Sequence, residues 1–393
     1  MIPLRRVGSL PPYPFAEIDR LKLELRRANE DVVDLGFGNP DLPSPSVAVA
    51  KLQEAAALPR NHRYSASRGI PNLRAAITEL YARRFGVELD PEREAVVTIG
   101  AKEGLAHLLW VLVEPGDVAL VPSPSYPIHL FAPVLAGASV AQVAMEADAD
   151  VLEGLEEAFE RSRPRPRVLI LSFPHNPTTA VVELEFWQRV VDFARERSLV
   201  VVHDFAYADI AFDGYRPPSI LEADGAREVA VELYSLTKGY SMAGWRVGFV
   251  VGNADVVAAL SRLKSYLDYG TFQPIQIAAI VALREADEHV AAVCDKYRRR
   301  RDVLVEGLRR IGWDVPTPTA TMFVWAPIPE RFRTLGSHAF SLHLLREGKV
   351  SASPGAGFGP GGDDFVRFAL VENDHRIAQA LRGLRTALTT EPT

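Results

Sequence analysis

Residues 234–250 read YSLTKGYSMAGWRVGFV, and the one lysine in that stretch, Lys238, decides how the chain is to be read. Before it, VAVELYS (229–235) is an apolar, β-branched run that predicts a buried strand; after it, RVGFVVG (246–252) predicts another. A lysine on a short loop between two core strands is costly to bury as an unpartnered ammonium. Forming an imine with a carbonyl removes that cost, because the nitrogen becomes part of the adduct. A loop-tip lysine that snorkels to solvent avoids it too, so both readings stand at this point. Ser235 lies three residues before Lys238 and Arg246 eight after it, a hydroxyl and a guanidinium of the kind that hold a phosphate ester.

Working outward, the same strand and turn pattern repeats upstream. VVTIGAKEGL (96–105) predicts a strand over 96–99, a glycine turn at Gly100 and a helix from about Ala101, whose first free N–H groups at Ala101 and Lys102 suit an anion. VALVPSPSY (118–126) leaves Tyr126 just beyond a strand, and VLILSFPHNPTT (168–179) leaves Asn176 in the same relation to the next. LVVVHDFAYAD (199–209) places Asp204 and Tyr207 after a third apolar run. Strands alternating with helices predict an α/β fold, with a large domain of mostly parallel sheet flanked by helices. In such sheets ligands bind beyond the carboxyl ends of the strands, where Gly100, Tyr126, Asn176, Asp204, Tyr207 and Lys238 all fall. Taken singly, Asp204 also fits a helix cap, Asn176 a turn residue and Tyr126 core filler.

At the N-terminal end, Ile18, Leu21 and Leu25 predict an amphipathic helix over 15–28 after a proline-rich start. DVVDLGFGNPD (31–41) then predicts a short strand and a turn at Gly36, Gly38 and Pro40, which fits a carboxylate-binding backbone or a plain connection. Ile70 and Pro71 open a helix with Leu73, Ile77, Leu80 and Tyr81 on one face, Tyr64 lying on the loop before it. Past Gly252, helices over 253–267, 273–284 and 287–311 lead to alternating strands and helices that predict a smaller α/β domain. The expected division is an N-terminal segment 1–45 packed with the small domain, a large domain 46–290 and a small domain 291–393. The YRRRR run at 297–301 reads as a solvated helix face, and Arg367 on a late strand fits a structural ion pair or an anion clamp.

The 393 residues suffice for two such cores, and a formal charge of −6 argues against nucleic acid or a membrane surface as the main partner. No apolar run is long enough to span a bilayer, and the first 15 residues lack the apolar centre of a signal peptide. Cys294 is the single cysteine, which excludes an internal disulfide and suits a cytoplasmic location; it reads as core filler. No metal is expected. GAGFG (355–359) lacks the strand and helix that would frame a dinucleotide-binding turn.

Seven motifs together carry a resemblance over essentially the whole chain: GNPD (38–41), YSASRGIPNLR (64–74), GAKEGLAHL (100–108), PSYPIH (124–129), NP (176–177), HDFAYAD (203–209) and SLTKGYSMAGWRVGF (235–249). In this order they resemble the fold-type I, pyridoxal-phosphate-dependent aminotransferases of class I/II, and within them the bacterial alanine (glutamate-pyruvate) aminotransferases. The resemblance implies that Lys238 holds pyridoxal 5′-phosphate and moves the substrate proton, that Asp204 pairs with the pyridine nitrogen, and that Asn176 and Tyr207 bond the 3′-oxygen. It implies that Tyr126 stacks on the ring, while Ser235, Arg246 and the backbone at Ala101 and Lys102 hold the phosphate. Tyr64 would reach the phosphate of a neighbouring subunit, making a homodimer part of the site. Arg367, helped by Asn176 and the backbone at Gly38, would clamp the substrate carboxylate, and Lys102 would read a distal one. The implied reaction passes an amino group between L-alanine and 2-oxoglutarate in a ping-pong cycle. Aspartate, methionine or LL-diaminopimelate as donor, or carbon-sulfur β-elimination, would use the same cofactor residues; a transcription regulator built on this fold would need a DNA-binding domain ahead of it. His175 and Thr179 depart from the commoner family pattern around Asn176, and Thr237 replaces a frequent serine beside the lysine.

Overall fold

A computed structural model gives the fold and describes residues 8, 10, 11, 14–145 and 151–391. The proline-rich opening therefore lies largely outside the described residues.

The strands, in chain order, are β1 (Val33–Asp34), β2 (Ala95–Thr98), β3 (Val118–Ser123), β4 (Ser139–Ala144), β5 (Val168–Leu171), β6 (Val200–Asp204), β7 (Ala230–Ser235), β8 (Gly248–Gly252), β9 (Phe323–Pro327), β10 (Val350–Ser351), β11 (Ser353–Pro354) and β12 (Phe365–Ala369). Seven of them form one sheet in the order β2-β8-β7-β6-β5-β3-β4, with β8 alone antiparallel to its neighbours. Strands such as VLIL and AVVT are buried along their whole length, as a sheet covered on both faces requires. The strand over 246–252 begins two residues later than its apolar pattern predicts. Arg246 is instead in the left-handed region (φ 55°), just after the short helical turn Ala243–Trp245.

A second unit gathers around the antiparallel trio β11-β12-β9 and the parallel pair β1-β10, in which Val33 faces Val350. Its core joins Val33 and Leu35 to Leu304, Phe323, Leu344, Val366 and Ile377, while Leu169, Trp187, Val201, Tyr234 and Phe249 belong to a core on the large sheet. The helix Asp287–Arg310 lies along the second core and corrects the reading of YRRRR as a solvated face. Tyr297, Arg300 and Arg301 are buried, and only Arg298 and Arg299 face solvent to an appreciable degree. Arg300 donates twice to Asp41 at 2.7 Å, and Arg301 bonds Asp213 at 2.5 Å and the Pro318 carbonyl at 2.9 Å. Burial of a guanidinium is tolerable when its fork is matched by a carboxylate, and both arginines are so matched. Among the described residues no helix is long and apolar enough to cross a membrane.

Candidate active site

Beyond the carboxyl ends of β5, β6 and β7 lies a cavity of about 450 Å³. Lys238, Asp204, Asn176, Tyr207, Tyr126, Ser235, Arg246, Ala101, Lys102, Gly38 and Arg367 all line it. Tyr64 does not; it is 85% exposed, with its ring 4.5 Å from that of Tyr269.

The Lys238 Nζ donates to the Gly38 carbonyl at 2.9 Å, so the loop after β7 meets the Gly36–Pro40 turn. Burial, then the nearby Arg367 charge, with Arg246 adding to it against the opposing pull of Asp204, lower its pKa to about 7. A neutral amine is therefore available at neutral pH, which is what a nucleophile or proton-transfer base requires. A side chain on Gly38 would run into the Phe323 ring at 2.7 Å, which accounts for the glycine there.

Asp204 ends β6 with its carboxylate turned to the cavity. One oxygen, Oδ2, accepts from His129 Nε2 at 2.9 Å, and His129 Nδ1 then accepts from the Ser125 hydroxyl at 2.8 Å. The tautomer follows from that chain of partners. Ser172 donates to the Asp204 carbonyl at 2.9 Å. The other carboxylate oxygen, Oδ1, is buried and has no hydrogen-bond partner among the described residues. A buried carboxylate oxygen left so is expensive, and a protonated ring nitrogen would satisfy it.

On the opposite wall Arg367 is fixed by three kinds of contact. Its Nη1 donates to Asn176 Oδ1 at 2.6 Å, its Nη2 to the Gly36 carbonyl at 3.3 Å, and its guanidinium lies between the Phe323 and Phe358 rings, 4.0 and 4.6 Å from their centres. Two aromatic faces hold the guanidinium plane while its edge points to the cavity. Asn176 Nδ2 reaches the Tyr207 hydroxyl at 3.5 Å. Burial pushes the Tyr207 and Tyr126 phenols up, so both keep their protons. The loop bearing Asn176 closes on itself: His175 Nδ1 meets Thr178 Oγ1 at 2.7 Å, and Thr179 takes the left-handed conformation (φ 64°) that glycine supplies more easily. Burial lowers the His175 pKa to about 3, which keeps that ring neutral.

The third wall is an anion cradle. The helix Ala101–Leu112 starts with the unpaired N–H groups of its first turn, positive end toward the cavity. Arg246 lies over the turn, donating to the carbonyls of Ala243 (3.1 Å) and Ile99 (3.4 Å), and a side chain on Gly100 would overlap its guanidinium. Ser235 closes β7 at the same level.

Several residues of this wall system have no role in the reading from sequence: His129, Ser172, Phe323, Phe358 and Ser353, whose hydroxyl accepts from Arg367 Nη2 at 3.4 Å and donates to the Gly36 carbonyl at 2.7 Å. His129 had a signal, since it lies four residues after Ser125 and closes the PSYPIH motif. The aromatic pair around Arg367 had none, because the two rings come from distant parts of the chain.

A mostly parallel sheet with a half-buried lysine, an aspartate and an arginine around one cavity defines a class of group-transfer enzyme. The class I and II aminotransferase family is matched over residues 30–384, and the chain belongs to that family; it is an aminotransferase, acting on amino and keto acids. It is 52% identical over 380 residues to the glutamate-pyruvate aminotransferase AlaC of Escherichia coli strain K12, covering 97% of this chain and 92% of that protein. To the LL-diaminopimelate aminotransferase of Desulforudis audaxviator strain MP104C it is 44% identical, covering 98% and 97%. The substrate-bound BacF structure from Bacillus subtilis superposes with a TM-score of 0.90 at 34% identity, covering 98% of this chain and 97% of that one. The family implies pyridoxal 5′-phosphate, and two features of the cavity fit that group: the unsatisfied Asp204 Oδ1 and the anion cradle.

Proposed function

We propose that the chain binds pyridoxal 5′-phosphate in this cavity and passes an amino group between L-alanine and 2-oxoglutarate. The observation that carries the reading is a half-buried lysine amine, with a pKa of about 7, in a cavity shared with an arginine clamp and an aspartate with one unsatisfied oxygen. The similarity to the glutamate-pyruvate aminotransferase supports the choice of substrates.

When bound, the cofactor supplies a carbonyl for amine capture and a ring that withdraws electrons from the substrate Cα. Asp204 would hold a proton at the ring nitrogen, oriented by His129. Asn176 and Tyr207 would bond the 3′-oxygen, and Tyr126 would cover one ring face. Ser235, Arg246 and the N–H groups of Ala101 and Lys102 would hold the phosphate. Arg367 would take the α-carboxylate in a paired hydrogen bond, with Asn176 and the Gly38 backbone beside it. Lys238 would then remove the proton from the substrate Cα and return it on the far side of the transfer. Amino acid and keto acid would use the one site in turn, in a ping-pong cycle.

The division at 1–45, 46–290 and 291–393 belongs to the same proposal and is supported by the two separate cores. So does a homodimer: Tyr64, Tyr266 and Tyr269 are exposed aromatics that a second copy would cover, and Tyr64 would then reach the neighbour's phosphate. A cytoplasmic location is supported by the single cysteine.

A half-reaction tests the proposal. The cofactor-loaded protein, without acceptor, is offered L-alanine, L-glutamate, L-aspartate, L-methionine and LL-diaminopimelate in turn while the loss of visible cofactor absorbance is followed. Fast conversion with alanine and glutamate alone supports the reading; fast conversion with LL-diaminopimelate moves the substrate and leaves the residues in their roles.

A further inference from the structure

Behind the anion cradle sits a charged group that none of these steps uses. Lys264, on the helix Ala254–Leu267, is wholly buried, and its ammonium donates to Glu103 Oε1 and to Asp268 Oδ2, each at 3.0 Å. Glu103, His107 and Asp268 bring three atoms able to ligate a metal within 4.8 Å of one another. The lysine already supplies a cation to that cluster, so the cluster reads as an internal ion pair. A buried ammonium holds its carboxylates firmly, because losing either partner leaves an uncompensated charge.

Glu103 is the third residue of the helix Ala101–Leu112, and its second oxygen, Oε2, accepts from the Ile99 N–H at 2.8 Å. A carboxylate at this helical position that reaches back to the backbone ahead of the helix fixes how the chain enters it. The entry here is Ile99–Gly100–Ala101, the cradle itself, and the Ile99 carbonyl is also the acceptor for Arg246 Nη2 at 3.4 Å. One chain of contacts thus runs from the Lys264 ammonium through Glu103 to the backbone turn and on to the guanidinium.

We infer that Lys264 is a positioning residue for the phosphate of the cofactor, acting through Glu103 on the shape of the turn that presents the Ala101 and Lys102 N–H groups. The inference rests on the reading of that turn as the phosphate site. Neither Lys264 nor Glu103 lines the cavity. In Lys264→Met the Glu103 carboxylate loses the ammonium and keeps only His107, whose Nδ1 lies 2.6 Å from Oε1. In Glu103→Gln one of the two positions is taken by an NH2 group, which cannot accept from the Ile99 N–H or from the lysine it faces. Both changes weaken the hold on the phosphate and leave the ring contacts alone.

The test compares pyridoxal 5′-phosphate with pyridoxal, which lacks the phosphate. Equilibrium binding of each to the cofactor-stripped, full-length protein is followed by quenching of protein fluorescence, with circular dichroism checking the fold of each variant. The expected result is a loss of about tenfold or more in affinity for the phosphate ester, the scale of one charged hydrogen bond, with pyridoxal unchanged. Equal losses for both ligands would assign Lys264 a merely structural role and overturn the inference, as would unchanged binding of the phosphate ester. Should Lys264→Met fail to fold, Glu103→Gln alone decides in the same terms. A wild-type protein that binds the phosphate ester no better than pyridoxal would overturn the phosphate site itself, and the inference with it.

Discussion

The floor of the cavity and its rim are built on different principles. On the floor every charged group is held by a partner from a distant element: Arg367 by Asn176 and two aromatic rings, Asp204 by His129, Lys238 by the Gly38 carbonyl. At the rim the side chain of Lys102 is exposed. Preorganised groups in a low-dielectric pocket support chemistry, whereas exposed, adaptable ones adjust which molecule arrives. On the proposed roles, the contrast puts the reaction and the choice of substrate in separate parts of this molecule. If it holds, floor substitutions lower turnover for every substrate, and rim substitutions change the ratio between substrates.

The largest effect falls on the floor. Lys238→Ala removes the amine, and turnover with alanine and 2-oxoglutarate should fall by about 10⁴-fold, the upper range for a lost acid-base group. Stopped-flow half-reactions check it, and activity within tenfold of wild type would remove Lys238 from the chemistry. Next comes Arg367→Lys, which keeps the charge and loses the fork. KM for every amino acid should rise by about 10²-fold, as misplacement of a reacting group costs, while cofactor affinity stays put. A change confined to one amino acid would place Arg367 on the specificity side and break the contrast.

A pH profile sharpens the same point with a smaller effect. Burial and the Arg367 charge hold the Lys238 pKa at about 7, below the 10.5 of an unperturbed lysine. Capture of pyridoxal 5′-phosphate by the cofactor-free protein needs the neutral amine, so its rate should rise with pH and level off above a midpoint near that value. Arg367→Met removes a positive neighbour, stabilises the ammonium and should move the midpoint up by about one unit, a tenfold change at fixed pH. The linked stability has a definite sign. Between the folded and unfolded pKa values the unfolded chain binds the extra proton, so the cofactor-free protein gains stability as pH rises through that window. A midpoint that stays where it was in Arg367→Met would separate the two charges.

The parts of the molecule that sequence made legible are those governed by local pattern. Continuous apolar runs mark β5, β6 and β7, and the turn after each carries a residue that lines the cavity. What pattern left hidden depends on packing between distant segments. Arg300 and Arg301 look like the solvent face of a helix until Asp41 and Asp213 are brought to them. Arg246 continues an apolar pattern, yet its backbone turns left-handed to lay the guanidinium on the turn at Gly100. His129 needed the third dimension, since its tie to Asp204 spans separate βα units, although its spacing from Ser125 was visible. The exposed Tyr64 shows the limit on the other side, for its expected partner is outside this chain.

The smallest predicted effect belongs to the rim and is the one that would test the contrast most finely. Lys102 is exposed at the start of the cradle helix, its ammonium 5.8 Å from the centre of the Tyr126 ring and so at the mouth of the cavity. In the proposed reaction it would meet the distal carboxylate of glutamate, which alanine lacks. An ion pair in that setting is screened and worth little, so Lys102→Ala should lower kcat/KM for glutamate by no more than about fivefold. The value for alanine should hold, since nothing in alanine reaches that far. The loss should fade as ionic strength rises, because exposed charges are screened within roughly a Debye length of about 10 Å at 0.1 M salt. Equal losses for both substrates would move Lys102 to the floor, among the groups that hold the cofactor, and unchanged kinetics for both would take it out of substrate choice altogether.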